Sequence, residues 1–306
     1  MMIVLRFNGG LGNQLYQYAL LRFLQEKYPH REIKVDITDY IGKSYHQGFE
    51  IEKIFEGILL DKVTGRDVFR ITGRLPVFYG GPGREHVVKL RRKINRMFFN
   101  KWNGNVVWGN ELRKHLKDEG EIDTLLAGEY RYIDRFFAAP DTLYNIEKVA
   151  RELRFNKLED KSKIGILQQI KSSNSVSIHV RRGDYVGTSF DVVTEHYYKK
   201  AIEYIEERVD NPCFFVFSDN TAYVEELFKD IPNKRIVDCN RGAESFRDMQ
   251  FMSMCKNNII TNSTFSEWGA LLNRNKEKMV IYPITPKMET DEKKILLKEW
   301  VGIKYQ

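Results

Sequence analysis

The chain has 306 residues, 42% hydrophobic and 30% charged, with a formal net charge of +7. That length supplies a core for two domains or one large one, and no low-complexity tract or apolar run near the ~18 residues of a membrane span interrupts it. Met1-Met2-Ile3-Val4-Leu5-Arg6 is too short and too soon polar for a signal peptide. The three cysteines (Cys213, Cys239, Cys255) are odd in number and lack metal-ligand spacing, so a reducing cytoplasm is the expectation.

Met2 to Phe7 reads as a buried strand, followed by the glycine-rich turn Asn8-Gly9-Gly10-Leu11-Gly12-Asn13-Gln14. Leu15 to Lys27 is predicted helical, with Leu20, Leu21 and Leu24 on one side, and Ile33 to Asp36 reads as a second strand. The chain therefore opens as a βαβ unit. Its turn lacks the G-x-G-x-x-G spacing of a dinucleotide fingerprint, although Asp36 closes the next strand, and no Lys-Ser/Thr pair makes it a P-loop. It reads as a turn whose backbone approaches a ligand closely, with Asn13 and Gln14 as donors. The alternative is a purely structural tight turn.

Residues 40 to 125 carry weaker patterns. Arg74 to Arg84 is turn-rich (Pro76, Gly80, Gly81, Pro82, Gly83) and reads as a loop or insertion. Arg84 to Lys101 then holds seven Lys/Arg against one acid, Glu85, with Val87, Leu90, Ile94, Met97 and Phe98 at helical spacing. A basic amphipathic helix either packs its apolar side on its own domain or lies on an anionic membrane surface. Packing is the expectation; a peripheral membrane contact through residues 84–101 is the alternative. Nucleic acid is not expected, because no binding motif is recognised and the rest of the chain is nearly neutral.

Glu147 to Arg154 is predicted helical, and the charged, weakly patterned stretch from Asn156 to Lys163 marks a boundary between domains 1–155 and 156–306. Ser175 to Ile178 alternates as a half-buried strand running into His179-Val180-Arg181-Arg182-Gly183-Asp184-Tyr185. His196 to Arg208 reads as a helix, and Pro212 to Phe217 as a continuous apolar strand suited to a parallel sheet. Ser218-Asp219-Asn220 would cap a helix from Thr221 to Lys229. Strand Arg235–Asp238, helix Ser245–Lys256, strand Asn258–Thr261, a helix to Leu272, strand Met279–Tyr282 and helix Asp291–Trp300 complete the reading. Alternating β and α elements predict an α/β protein of two Rossmann-like domains facing a cleft.

The chemistry is concentrated at two strand ends. Arginine presents a planar fork of donors that matches phosphate oxygens and stays charged, and ligands of open α/β sheets sit at the carboxyl ends of the strands. His179 and Arg181 would share one face and Arg182 the other, one arginine meeting a ligand while the other braces the loop through Asp184. The competing explanation is a surface salt-bridge cluster. Thr264-x-x-Glu267 has the form of a capping box, and with Asn262, Ser263 and Ser266 it sets hydroxyls and amides at an anion-binding helix start. These two elements would grip one diphosphate from two sides. Asp248, on the helix before Asn258, offers a carboxylate that can accept two hydrogen bonds from a guanine edge, or pairs with Arg247 at the surface. Asp184, Asp36 and Glu129 are candidate general bases, and no metal site is evident from the His and acid spacings.

Four places together resemble glycosyltransferase family 11, the α-1,2-fucosyltransferases. They are Gly9-Gly10-Leu11-Gly12-Asn13-Gln14 with Tyr16-Gln17-Tyr18-Ala19, the H-x-R-R-x-D-Y stretch from His179 to Tyr185, Phe215-Val216-Phe217-Ser218-Asp219, and Asn262-Ser263-Thr264-Phe265-Ser266-Glu267-Trp268. The resemblance implies a GT-B fold and inverting transfer of fucose from GDP-fucose to the 2-OH of a terminal β-galactoside, in surface-glycan or O-antigen synthesis. No metal or other cofactor would be needed. Localisation would be cytoplasmic, with a peripheral station at the inner membrane as the membrane alternative. It further implies that Arg181 holds the β-phosphate as a catalytic residue, joined by Asn13. His179, Arg182, Asp184, Ser218, Asp219, Asp248, Asn262, Ser263, Thr264, Phe265 and Ser266 would bind the donor, with Gly10 and Gly12 approaching from the other domain. One departure concerns a G-Y-x-Q-S-E-K-Y-F stretch of the family. Gly128-Glu129-Tyr130-Arg131-Tyr132-Ile133-Asp134-Arg135-Phe136-Phe137 here is longer and lacks the Gln-Ser pair, which leaves the acceptor least defined. The rival readings are a nucleotide-dependent oxidoreductase using Asp36 and a non-catalytic sugar-nucleotide binding protein.

Overall fold

The computed structural model describes residues 1–41, 47–76, 85–98, 104–116, 118–136, 146–285 and 299–304. The chain divides into two compact units, Met1–Val149 and Ala150–Gln306. The first contains β1 (Met2–Arg6), α1 (Leu11–Lys27), β2 (Glu32–Asp36), α2 (Ile51–Ile54), α3 (Gly65–Thr72), α4 (Glu85–Phe98), β3 (Val106–Trp108), α5 (Gly109–His115), α6 (Glu119–Leu125) and β4 (Tyr130–Asp134). Helix α7 (Ile146–Glu152) runs into the second unit.

The first sheet is parallel throughout, in the order β2-β1-β4-β3. Ile3, Val4 and Leu5 in β1 are completely buried, as an apolar run covered on both faces should be. The helix after β1 begins at Leu11, four residues before the expected start. Two glycines suffice to turn the chain: Gly9 takes a left-handed φ of 81° and Gly10 is the extended N-cap. Strands β3 and β4 had no clear sequence signal, because β3 has three residues and β4 carries Arg131.

Helix α4 departs from expectation. Its apolar side was to pack on the domain, yet Val87, Leu90, Met97 and Phe98 are exposed. Among the described side chains of this helix the buried one is Asn95. The Asn95 side chain exchanges two 2.9 Å hydrogen bonds with the Leu75 backbone, and Arg91 donates to the Pro76 carbonyl at 3.0 Å. Asn95 lies roughly 100° around the helix from the apolar stripe, so seating it turns that stripe outward. Arg84 and Lys101, the ends of the basic segment, lie outside the described residues.

The second unit contains α8 (Lys161–Ser172), β5 (Asn174–Val180), α9 (Glu195–Glu206), β6 (Pro212–Ser218), α10 (Thr221–Leu227), β7 (Lys234–Val237), α11 (Phe246–Met254), β8 (Asn257–Ile259), α12 (Thr264–Leu271), β9 (Val280–Ile284) and β10 (Val301–Lys304). Its sheet is also parallel, ordered β10-β9-β8-β5-β6-β7. Val176, Ile178, Phe214 and Val216 from β5 and β6 pack with Tyr197, Tyr198 and Ala201 of α9. Helix α8 was not expected; Asp160 caps it by accepting the Ser162 N–H at 2.9 Å, and Ile166 and Ile170 are its buried side chains of helical spacing. Most of the expected helix Asp291–Trp300 falls on 286–298, outside the described residues, and its last two positions are a turn and a bend before β10. Among the described residues no helix is long and apolar enough to cross a membrane.

Candidate active site

All six strands of the second sheet run the same way, so their carboxyl ends form one edge. Strand β5 pairs with β6 on one side and β8 on the other, which brings the segments after Val180, Ser218 and Ile259 together. After β5, Arg181 is held by two carboxylates. Its Nε donates to Asp184 at 2.8 Å and its Nη1 meets Asp219 Oδ2 at 3.0 Å. Burial works against the charge of Arg181, but Asp184 and Asp219 outweigh it and raise the pKa. The Arg181 side chain stays partly open to solvent, at 28%.

Asp219 also accepts the Arg182 backbone N–H at 2.9 Å. A methyl group on Gly183 would sit 2.7 Å from Asp219 Oδ2, so any larger residue would crowd that carboxylate. The two arginines do not divide the work as expected. Asp184 braces Arg181 itself, whereas the Arg182 side chain pairs with Asp191 at 3.0 Å and stacks 4.4 Å from the Tyr223 ring centre. Arg182 is therefore tied into the wall beside the site. Asp219 thus fixes the backbone at Arg182 and the guanidinium of Arg181 at once.

The start of α12 lies against this loop. Its N-cap is Ser263, not Thr264, and the Ser263 hydroxyl accepts the Phe265 N–H at 3.3 Å. The expected Thr264–Glu267 capping box does not form, because Ser263 is the last extended residue and Thr264 is already the first residue of the helix. Ser266 is fully buried; it accepts the Thr261 N–H at 3.3 Å and donates to the Ser263 carbonyl at 3.1 Å. Its hydroxyl shapes the turn and is not presented to a ligand, contrary to expectation. Asn262 likewise spends its amide on the Phe190 carbonyl at 2.9 Å, while the Tyr185 hydroxyl reaches the Asn262 carbonyl at 3.4 Å. Thr264 and Phe265 remain half-buried at the helix start. The dipole and amides of such an end favour an anion.

His179 is buried beneath Phe265, with ring centres 5.6 Å apart, and its Nδ1 has no hydrogen-bond partner among the described residues. Burial first, and Arg181 second, push its pKa down to about 3, so the imidazole is neutral. Ser218 ends β6, its hydroxyl accepting the Asn220 N–H at 3.1 Å. Asp248 stands further along the same edge. Asn240 donates to it at 2.8 Å, and the neighbouring Arg241 bonds the Thr221 hydroxyl at 2.6 Å, which links this corner to the loop after β6. Burial pushes the Asp248 carboxyl up to about 7. Asp248 does not pair with Arg247, whose guanidinium bonds Glu244, Gln250 and the Asn156 carbonyl.

In the first unit, Gly10, Gly12 and Asn13 open α1. Gly9 is fixed by close packing as well as by its φ, since a methyl group there would lie 2.5 Å from Asn13 Nδ2. Gln14, expected as a ligand donor, is fully buried and donates to the Gly48 carbonyl at 2.9 Å while accepting the Glu50 N–H at 2.9 Å. Gln17 clasps both backbone groups of Asn8. Asp36 is buried, accepting from the Thr38 N–H at 2.8 Å and the Tyr132 hydroxyl at 2.5 Å. Both its oxygens are engaged inside the fold and it is 1% exposed, so it is not placed to act as base or ribose ligand. Glu129 is exposed at the amino end of β4, away from the strand ends where a base is needed.

Asp191, Tyr223, Asn240 and Arg241 escaped the sequence reading. They act on partners from other loops or helices, or through a ring face, and no local spacing announces that. Among the described residues no group of three His, Cys, Asp or Glu could hold a metal ion.

Two parallel Rossmann-like units are the architecture of GT-B glycosyltransferases. The NodZ α-1,6-fucosyltransferase of Bradyrhizobium, co-crystallised with GDP, shares this fold with a TM-score of 0.52 at 16% identity, covering 89% of this chain and 92% of that one. The model of glycosyl transferase family 11 matches residues 2–304, and the chain belongs to that family. The O-antigen biosynthesis glycosyltransferase WbnK of Escherichia coli is 28% identical, covering 97% of this chain and 98% of its own. An α-1,2-colitosyltransferase of Escherichia coli is 29% identical over 95% of this chain and 93% of its own. The protein is a glycosyltransferase, and the oxidoreductase reading falls with the buried Asp36.

Proposed function

We propose that this enzyme transfers L-fucose from GDP-fucose to the 2-hydroxyl of a terminal β-galactoside, with inversion and without a metal ion, in surface-glycan synthesis. The supporting observation is Arg181, clamped by Asp184 and Asp219 beside the start of α12. A guanidinium has five N–H donors. Asp184 takes one at Nε and Asp219 one at Nη1, which leaves the outer edge of the fork for phosphate oxygens.

In inverting transfer the acceptor oxygen attacks the anomeric carbon from the face opposite the departing diphosphate. The carbon–oxygen bond to the β-phosphate breaks as the new glycosidic bond forms, and the acceptor hydroxyl gives up its proton to solvent as its oxygen bonds the sugar. Negative charge grows on the leaving phosphate, where Arg181 and the amides of α12 would stabilise it. Donors held rigid before the reaction need no reorganisation when that charge appears. Thr264 and Phe265 would line the diphosphate, neutral His179 would back it, and Asp248 would accept from the guanine edge. Gly10, Gly12 and Asn13 would serve the acceptor side. Asp184 is too closely committed to Arg181 to act as base, so none is assigned.

The colitosyltransferase among the relatives favours a second donor reading, a colitosyl nucleotide. The reaction would proceed in the cytoplasm, at or beside the inner membrane. Incubation with GDP-fucose and a panel of terminal β-galactosides, with linkage read by NMR, tests the proposal. An α-1,2-fucosyl product formed equally well with EDTA present is expected. Transfer only from a colitosyl donor, or only with added metal, would overturn the corresponding part.

A further inference from the structure

We infer that α4 docks the enzyme on an anionic phospholipid surface. Four apolar side chains of this helix face solvent: Val87 at 43%, Leu90 at 56%, Met97 at 61% and Phe98 at 70% exposure. At about 100° per residue they fall, with Ile94, on one stripe roughly 100° wide. Lys89, Arg92, Lys93 and Arg96 are exposed around the rest of the helix, and Glu85 is its one acid. Asn95 and Arg91 anchor the helix to Leu75 and Pro76, so the stripe is held outward by its polar contacts. Alongside, Phe69, Leu75 and Pro76 line an open depression of about 420 Å³ together with Arg66 and Arg91. Apolar and cationic side chains in one depression suit a lipid headgroup with the upper part of its acyl chain.

Charge selects the occupant. A second copy of the chain would bring another helix carrying the same cations, and a two-fold interface would set like charges against each other. A nucleic acid would use the cations but leave the apolar stripe in water. An anionic bilayer uses both: the stripe enters the boundary between headgroups and acyl chains, while the lysine and arginine stems reach back to phosphate. The inference deepens the inner-membrane station proposed above and does not depend on the donor. A sugar-nucleotide enzyme seated this way would meet a lipid-linked acceptor.

Co-sedimentation of the full chain with vesicles of equal parts phosphatidylglycerol and phosphatidylcholine tests it, against vesicles of phosphatidylcholine alone. Binding to the anionic vesicles is expected, weakening as salt rises. The triple variant Lys89→Gln, Lys93→Gln, Arg96→Gln should bind roughly 100-fold more weakly, from three cations lost near the surface. The triple variant Leu90→Gln, Met97→Gln, Phe98→Gln should also lose binding. Both should keep the wild-type melting temperature and GDP affinity. Equal sedimentation with neutral and anionic vesicles would overturn the inference, as would binding that survives both variants. So would self-association of the wild type, abolished by the apolar variant, with no vesicle binding.

Discussion

The β1–α1 turn and the β5 end both stand where a strand of a parallel sheet stops, and both contain glycine, but they use it for opposite purposes. In the first unit Gly9 turns the chain, and Gln14, Gln17 and Asp36 spend their polar groups on the protein's own backbone and tyrosine. In the second unit Gly183 makes room for Asp219, which aims a charged fork. At one strand end the side chains of Gln14, Gln17 and Asp36 are satisfied inside the fold, and at the other a partly exposed arginine is held between Asp184 and Asp219. Polar residue types alone do not tell them apart; what distinguishes them is whether the hydrogen bonds are already taken.

The comparison is sharpest at Arg181. Arg181→Ala should lower kcat by about 100- to 1000-fold with an unchanged melting curve, the scale expected when a transition-state donor is removed. Arg181→Lys should recover little of this, because an ammonium lacks the fork. Near wild-type turnover in the alanine variant would make the two strand ends equivalent in kind.

At the other strand end the effect should fall on stability. Gln17→Leu leaves both backbone groups of Asn8 without their partner, and a loss of about 1–3 kcal/mol in denaturant unfolding is expected. Affinity for GDP in the folded fraction should not change; a large drop would show that the first turn meets the nucleotide.

Asp219→Asn tests positioning. Oδ1 can still accept the Arg182 N–H, but an amide now faces Arg181. A fall of about tenfold in kcat, with a smaller change in GDP affinity, is expected from one mis-aimed charge-assisted bond. Gly183→Ala should act in the same direction by crowding Asp219.

The smallest effect should come from pH. With its carboxyl pushed up to about 7, Asp248 is largely protonated at about pH 6 and ionised at about pH 8. GDP should bind up to roughly tenfold tighter across that rise, if guanine needs the carboxylate as acceptor. Asp248→Asn should flatten the profile, measured by calorimetry. In the protein alone the sign is opposite: stability is lost as pH rises from the ordinary carboxylate range through about 7. His179, lowered from 6.5 to about 3, adds a slope of the other sign: its neutral form favours the fold above about pH 6.5, and that contribution is lost as pH falls from there toward 3.

Much of the second unit was legible in the sequence because its signals are local. The apolar run Cys213–Phe217 and the cluster His179–Tyr185 each declare themselves within a few residues. The partners of that cluster were not legible. Asp184 is three residues from Arg181, yet the pairing of Arg181 with Asp219 and of Arg182 with Tyr223 depends on strand order. Helix α4 shows the reverse case. Its periodicity was plain, but the hydrogen bonds of Asn95 and Arg91 to the backbone at 75 and 76 hold the helix with its apolar stripe exposed.

A crystal structure of the enzyme with GDP tests the central claim most directly. The β-phosphate should lie within hydrogen-bonding distance of the Arg181 guanidinium and of amides at the start of α12. A diphosphate bound elsewhere, with Arg181 touching only Asp184 and Asp219, would contradict it.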